Sequence, residues 1–179
     1  MSDSSNPPGP GPGPAPGKRW HTREDSGIRL DADGAWWHDD EHVEHPRIIE
    51  AFNQSLQPTD DGRFKLVFGR DWCFVQVDGP AYRVLAVHET TDDADAPILM
   101  LALSDRTQEA LDPETLVATQ LGTAAAPGDA VLHCRVKERR ALARFSRDAQ
   151  FQLGELLEDD GNGGLVLRLG GRSFPIREA

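Results

Sequence analysis

The sequence predicts an α+β protein: an antiparallel meander packed on a helix (an α/β roll), followed by a smaller, mainly β roll with one helix. Three observations carry this. Runs of alternating apolar and polar residues recur with Gly, Asp and Pro between them, the pattern of short strands joined by tight turns. Two segments, after Pro46 and after Ser146, instead repeat their apolar residues at helical spacing. Successive strands joined by short turns pair as antiparallel neighbours, against which a helix can lay its apolar face.

Residues 1–26 read as a tail. Met1 to Gly17 are almost wholly Ser, Asn, Pro, Gly and Ala, which bury too little apolar surface to offset the entropy of ordering them. A Pro-rich ligand for a partner's aromatic groove is the other reading, weakened by the alternating Gly. Structure is expected from Gly27. Ile28–Leu30 and Ala35–His38 are strands about the turn Asp31-Ala32-Asp33-Gly34. Pro46 suits the first turn of a helix; Ile48, Ile49, Phe52 and Leu56 share one face, and Pro58 stops it.

Strands follow at 63–68, 72–77, 82–88 and 98–103, with turns at Gly69-Arg70-Asp71 and Asp78-Gly79-Pro80 and an acidic loop at 89–96. These four form the meander. The first unit closes at residue 104 and the second spans 105–179, with a small-residue loop at 122–128. That unit holds a strand at Val131–Val136 and a helix over Ser146–Glu158, capped by Ser146, with Ala149, Leu153 and Leu156 on one face. It ends in a hairpin, Leu165–Leu169 and Arg172–Ile176, turned at Gly170-Gly171.

A chain of 179 residues with 38% hydrophobic and 27% charged residues has a globular composition. No apolar run approaches the roughly 20 residues of a membrane span, and the N-terminus lacks the apolar core of a secretory signal. A cytoplasmic location is the expectation, and with it reduced thiols at Cys73 and Cys134. The net charge of −11 argues against nucleic acid, whose phosphates demand basic surfaces. Trp20–Cys134 carries 8 basic and 22 acidic residues, whereas Arg135–Ala179 carries 9 and 7. Such a division predicts either internal pairing of the basic segment with the acidic body or an anion or partner site upon it.

One ordered set of short motifs runs through the chain: Ile28-x-Leu30, Asp33-Gly34-x-Trp36-x-His38, Pro46, Phe52, Asp61-Gly62-x-Phe64-x-Leu66-Val67, Val75-x-Val77-Asp78, Tyr82, Arg147-x-x-x-Phe151-x-Leu153 and Gly171-x-x-Phe174. In order and spacing it resembles the bacterial domain-of-unknown-function 1285 (DUF1285) family over Gly27–Ile176. The resemblance implies two small subdomains, an α/β roll and a mainly β roll, and brings no established activity, cofactor or catalytic residue. Two places depart from the pattern. Phe68-Gly69-Arg70-Asp71 stands where such sequences read Thr-Pro-x-Glu, and Val77-Asp78-Gly79-Pro80-Ala81-Tyr82 where they read Val-Glu-Asp-Ala-Pro-Phe. A role for the second acid could not be filled by Gly79. A Val-Arg element of the family corresponds to Arg135 or a neighbour.

Candidate chemistry gathers in three places. His38, His42 and His45, with Asp39 or Glu41, offer imidazoles and carboxylates suited to zinc, but they bridge a strand and a helix, and a solvated loop accounts for them more simply. Asp71 and Asp78 stand at the two ends of one strand, too far apart to share a proton, and are turn formers before they are an acid–base pair. Arg135, Lys137, Arg139, Arg140, Arg144 and Arg147 form the basic segment, where guanidinium forks suit carboxylate or phosphate. No G-x-S-x-G elbow, phosphate-binding loop, dinucleotide fingerprint or H-E-x-x-H is present.

The expectation is therefore a non-enzymatic module that binds a small molecule or a protein between its two subdomains, with no cofactor and no catalytic residue assigned. Arg147, Asp78, Tyr82, Asp71 and Arg135 are its candidate ligand-binding residues. Partners in nucleic acid or membrane are not expected. The alternative is a small hydrolase-like enzyme with carboxylate or histidine chemistry, with or without the assistance of a metal.

Overall fold

The computed structural model describes residues 21–119, 130–161 and 164–178. The expected tail to residue 20, the loop at 122–128 and the middle of the Gly161–Gly164 turn lie outside them. In chain order the elements are β1 (Ile28–Leu30), β2 (Trp36–His38), β3 (Glu41–His42), α1 (Pro46–Ser55), β4 (Leu56–Pro58), β5 (Phe64–Phe68), β6 (Asp71–Val77), β7 (Tyr82–Thr91), β8 (Pro97–Leu103) and β9 (Gln108–Ala110). After a 3₁₀ turn at Pro113–Thr115 come β10 (Val117–Thr119), β11 (Val131–Val136), β12 (Ala141–Phe145), α2 (Arg147–Gly154), β13 (Leu157–Asp159), β14 (Leu165–Leu169), β15 (Arg172–Pro175) and β16 (Arg177–Glu178). The protein is α+β and mostly β, with two helices and three sheets among the described residues.

The strand order is β3-β2-β1-β6-β5-β4 in the first sheet, β16-β10-β11-β12-β7-β8-β9 in the second and β13-β14-β15 in the third. The four-stranded meander expected from the sequence does not form. Asp78-Gly79-Pro80 does not turn β7 back onto β6; it carries the chain from one sheet to the next. β6 pairs in parallel with β1, Leu30 opposite Val77, and β7 pairs in parallel with β12, Phe145 opposite Val84. The crossing needs a glycine, because a Cβ at Gly79 would stand 2.8 Å from the Cα of Ala32.

The second sheet takes β7 and β8 from before residue 104 and its other strands from after it, so its hydrogen bonding crosses the expected division. The core crosses it too. Leu30, Trp36 and Leu66 belong to the same buried cluster as Val84, Leu101, Cys134, Phe145, Leu153 and Leu167. An order of hairpin, helix and three antiparallel strands occurs twice, as β1-β2-α1-β4-β5-β6 and as β11-β12-α2-β13-β14-β15, with a small β3 added to the first.

Both helices are shorter than their apolar repeats suggest. α1 ends at Ser55 because Leu56 turns extended and pairs with Leu66, and Gln57, standing before Pro58, is disfavoured in a helix. α2 ends at Gly154, and Leu156 lies beyond it. Ser146 caps α2 as expected, its hydroxyl accepting from the Ala149 amide at 3.2 Å. α1 is capped by His45, whose ring accepts from the Arg47 amide at 3.3 Å. The two inner tryptophans divide by strand alternation. Trp36 is fully buried, edge-on to Phe52, with its indole N–H donating to Asn53 Oδ1 at 2.9 Å. Trp37 is half-buried and donates to Asp31 Oδ2 at 2.8 Å.

Candidate functional site: a polar cleft between two sheets

Where the end of α1 and strands β4 and β5 face β9 and the β11–β12 turn, a cleft of about 780 Å³ opens. One wall carries Gln54, Asp60 and Lys65; the other carries Glu109, Lys137 and Arg140. Tyr82 and Asp105 lie between them.

The β11–β12 turn is unusual in its backbone. Lys137, Glu138 and Arg139 have φ of 53°, 59° and 65°, three successive non-glycine residues in the left-handed region. Each costs about 1 kcal/mol against the right-handed alternative. The contacts of Lys137 oppose that cost. Its amide donates to Glu109 Oε1 at 2.8 Å, and its ammonium lies 2.7 Å from Asp105 Oδ2, 2.6 Å from Thr107 Oγ1 and 3.7 Å from Glu109 Oε2. Asp105 is itself buried and accepts from the amide and hydroxyl of Thr107.

Tyr82 closes the floor of the cleft. Its ring lies 5.1 Å from the Lys137 ammonium, and its hydroxyl donates to the Leu56 carbonyl at 2.8 Å. Burial, and then the negative charges of Asp105 and Glu109, raise its pKa above the ordinary phenol value, with Arg140 opposing. At the rim, Arg140 reaches Asp60 at 3.2 Å and Glu138 at 3.2 Å, both almost wholly in water. Such pairs contribute little and are easily exchanged for a ligand. Lys65, from the opposite wall, has no ion pair among the described residues.

The residues singled out from the sequence do not share one cavity. Tyr82 lies in the cleft. Arg147 opens α2 without an ion pair among the described residues and borders a separate hollow of about 280 Å³ with Arg83, Arg144 and Asp33. Asp78 is held by Arg29 at 3.1 Å and by the Gln76 amide at 2.6 Å. Asp71 is exposed at the β5–β6 turn, 3.8 Å from Arg23. Arg135 stands outward on β11, near Arg139 and Asp112. Much of the basic segment pairs with acids of the body: Lys137 with Asp105, Arg139 with Asp112 and Glu114, Arg140 with Asp60, and Arg144 with Asp33 at 3.8 Å.

The histidines also separate. His45 caps α1, and His42 packs on Trp37 beside Glu44. His38 and Asp39 remain together and are joined by His21, a residue placed in the tail by sequence. Cys134 is buried, which pushes its thiol up to about 12, the charges of Glu109 and Asp112 adding to the effect and holding it in the neutral form. Asp105, Thr107 and Glu109 escaped the sequence reading because Ser104-Asp105-Arg106-Thr107 reads as an ordinary polar turn.

These features define a mostly β α+β protein in which two large sheets share a core and flank a polar cleft. The same fold is seen in the crystal structure of a DUF1285 family protein from Silicibacter pomeroyi DSS-3, with 21% sequence identity over 92% of this chain and 88% of that one and a TM-score of 0.62. A second DUF1285 family protein, from Shewanella baltica OS155, matches at 15% identity over 68% of this chain and 85% of that one, with a TM-score of 0.44. No family model and no curated protein matches the chain. No helix among the described residues is long and apolar enough to cross a membrane.

Proposed function

We propose that this protein is a non-enzymatic binding module of the DUF1285 kind, and that it takes a small molecule bearing a carboxylate or phosphate group into the cleft between its sheets. One observation carries the reading: Lys65 and Arg140 come from opposite walls of a cavity of about 780 Å³, the first without an ion pair among the described residues and the second paired only with solvated acids. A guanidinium fork and an ammonium on facing walls suit an oxyanion. Lys137 does not serve as the anion's partner, since Asp105 and Glu109 already neutralise it; it shapes the floor.

The walls also divide by sequence. Gln54, Asp60 and Lys65 belong to 27–104, and Glu109, Lys137 and Arg140 belong to 105–179, so a ligand here would touch both of the segments that the sequence divides. The likeness to the Silicibacter structure over most of both chains, together with the ordered motifs of the sequence, supports placing the chain with that family.

The test is a thermal-shift screen of the full chain against inorganic phosphate, succinate and citrate, with a neutral diol of similar size as control. Binding of one anion should raise Tm by mass action, and Lys65→Gln and Arg140→Gln should each remove the shift while leaving the unliganded Tm within a few degrees. Anion-induced shifts unchanged in both variants would overturn the assignment, as would no shift by any of the three.

A further inference from the structure

We infer that His21, His38 and Asp39 form a binding site for a divalent transition metal of zinc-like preference, well apart in sequence from the cleft residues. One ligand atom from each of the three lies within 4.8 Å of the others. Asp39 Oδ2 stands 2.7 Å from His21 Nε2 and 3.9 Å from His38 Nε2, and the two imidazole centres are 5.0 Å apart. Ligands about 2.0–2.2 Å from a tetrahedral zinc lie roughly 3.3–3.5 Å from one another. The observed spacings bracket that figure, so small side-chain rotations would close the set around an ion. Two imidazoles and a carboxylate are borderline donors that favour zinc or its neighbours over calcium or magnesium. Three protein ligands leave a fourth tetrahedral position for water or for a group entering from outside.

The backbone holds these residues in place. Asp39 and Asp40 form the two-residue turn between β2 and β3, with φ of 49° and 64°, a left-handed pair that Gly or Asn would occupy more easily. The Asp39 amide donates to the Gly27 carbonyl at 3.0 Å, which locks the turn to the segment bearing His21. That segment is fastened to the sheet in turn: the Phe74 amide donates to the Arg23 carbonyl at 2.7 Å, the Ser26 hydroxyl to the Phe74 carbonyl at 2.6 Å, and Arg63 pairs with Glu24 at 3.1 Å.

Gly27 is the space between them. A Cβ there would lie 2.5 Å from Asp39 Oδ1 and 2.7 Å from His21 Cε1, and its φ of 69° is strained for any other residue. Asp39 and Gly27 also line a cavity of about 620 Å³ with Arg29, Trp37 and Arg63, so an ion at Asp39 would border a space large enough for a ligand. A plain ion pair between His21 and Asp39 accounts for their contact, and His38 is the chain neighbour of Asp39; what the pair alone does not require is the second imidazole centred 5.0 Å from the first.

The test uses the untagged full chain, freed of metal by chelator and titrated with zinc and then cobalt(II). One equivalent should bind, cobalt(II) should give the intense visible bands of a tetrahedral N/O site, and in zinc titrations followed by NMR the ring signals of His21 and His38 should move. His21→Ala and His38→Ala should each weaken zinc by at least the ten- to hundredfold that loss of a mere supporting partner causes. The double variant His42→Ala/His45→Ala should bind as the parent does. Loss of binding in that double variant with retention in His21→Ala would overturn the site. So would no binding at 100 µM zinc, or zinc-dependent shifts confined to other histidines; the NMR reading stands without any variant.

Discussion

The ammonium of Lys137 and the carboxylate of Asp105 lie 2.7 Å apart with little of either exposed to water. Removing one member of such a pair leaves the other charged, desolvated and short of its nearest partner, which is more damaging than never having had the pair. Asp105→Ala should lower the unfolding free energy by about 3 kcal/mol, and Lys137→Met by at least as much, since it leaves the more deeply buried Asp105 carboxylate without its cation whereas Asp105→Ala leaves Lys137 its Glu109 partner. Urea denaturation of the two variants checks this; changes below about 0.5 kcal/mol in both would show the pair to be dispensable.

Tyr82 is the one tyrosine of the chain, so its ionisation can be followed without interference from another phenol. Its pKa is raised in the folded state by burial and by the acids around Lys137, against an unfolded value near 10. The sign follows: the neutral phenol is favoured in the fold, the associated stability is full below pH 10, and it is lost as pH rises above that value. Ultraviolet titration should show no phenolate at pH 10.5 in the native protein and a majority of phenolate in urea. A native titration centred at 10 would contradict the buried placement.

Gly79 sits where the chain leaves the first sheet for the second. Gly79→Ala should destabilise by about 1–3 kcal/mol, the usual cost of forcing an added methyl against backbone that cannot yield. Thermal or urea unfolding measures it directly, and an alanine variant as stable as the parent would mean that Ala32 moves freely.

A fragment ending at Ser104 should not fold. It would keep β7 and β8 but lose β12, leaving Tyr82, Val84 and neighbouring core residues without the strand that covers them. Circular dichroism and proteolysis of the fragment, beside the full chain, test the point. A cooperative melt of the fragment would show that the second sheet completes itself by other means.

The strands were largely legible in the sequence, and their partners were not. Val131–Val136 and Leu165–Leu169 are strands with the bounds that their residues predict, and the Gly170-Gly171 turn has both φ positive as a two-residue hairpin requires. Asp78-Gly79-Pro80 carries the same turn chemistry yet joins two sheets, because local preference says that the chain bends and not which strand it meets. β12 went unseen because its inward residues are Ala141, Ala143 and Phe145, and alanine gives almost no periodic signal. The site shows the same division. Tyr82 was legible as a candidate, whereas Asp105 and His21 gain their partners only through pairings that span many residues.

The parallel pairing of β7 with β12 has a consequence in time. Arg83 waits for Arg144, roughly sixty residues further along the chain. At the ordinary pace of a ribosome that is an interval of about 3–12 s, during which β7 has β8 on one side and an open hydrogen-bonding edge on the other. Contacts this distant in sequence also slow the refolding of the finished chain, since the loop must close before the pairing rewards it. A nascent chain of this protein is thus most exposed to association with its neighbours midway through its own synthesis, and release of β12 is the event that ends the exposure.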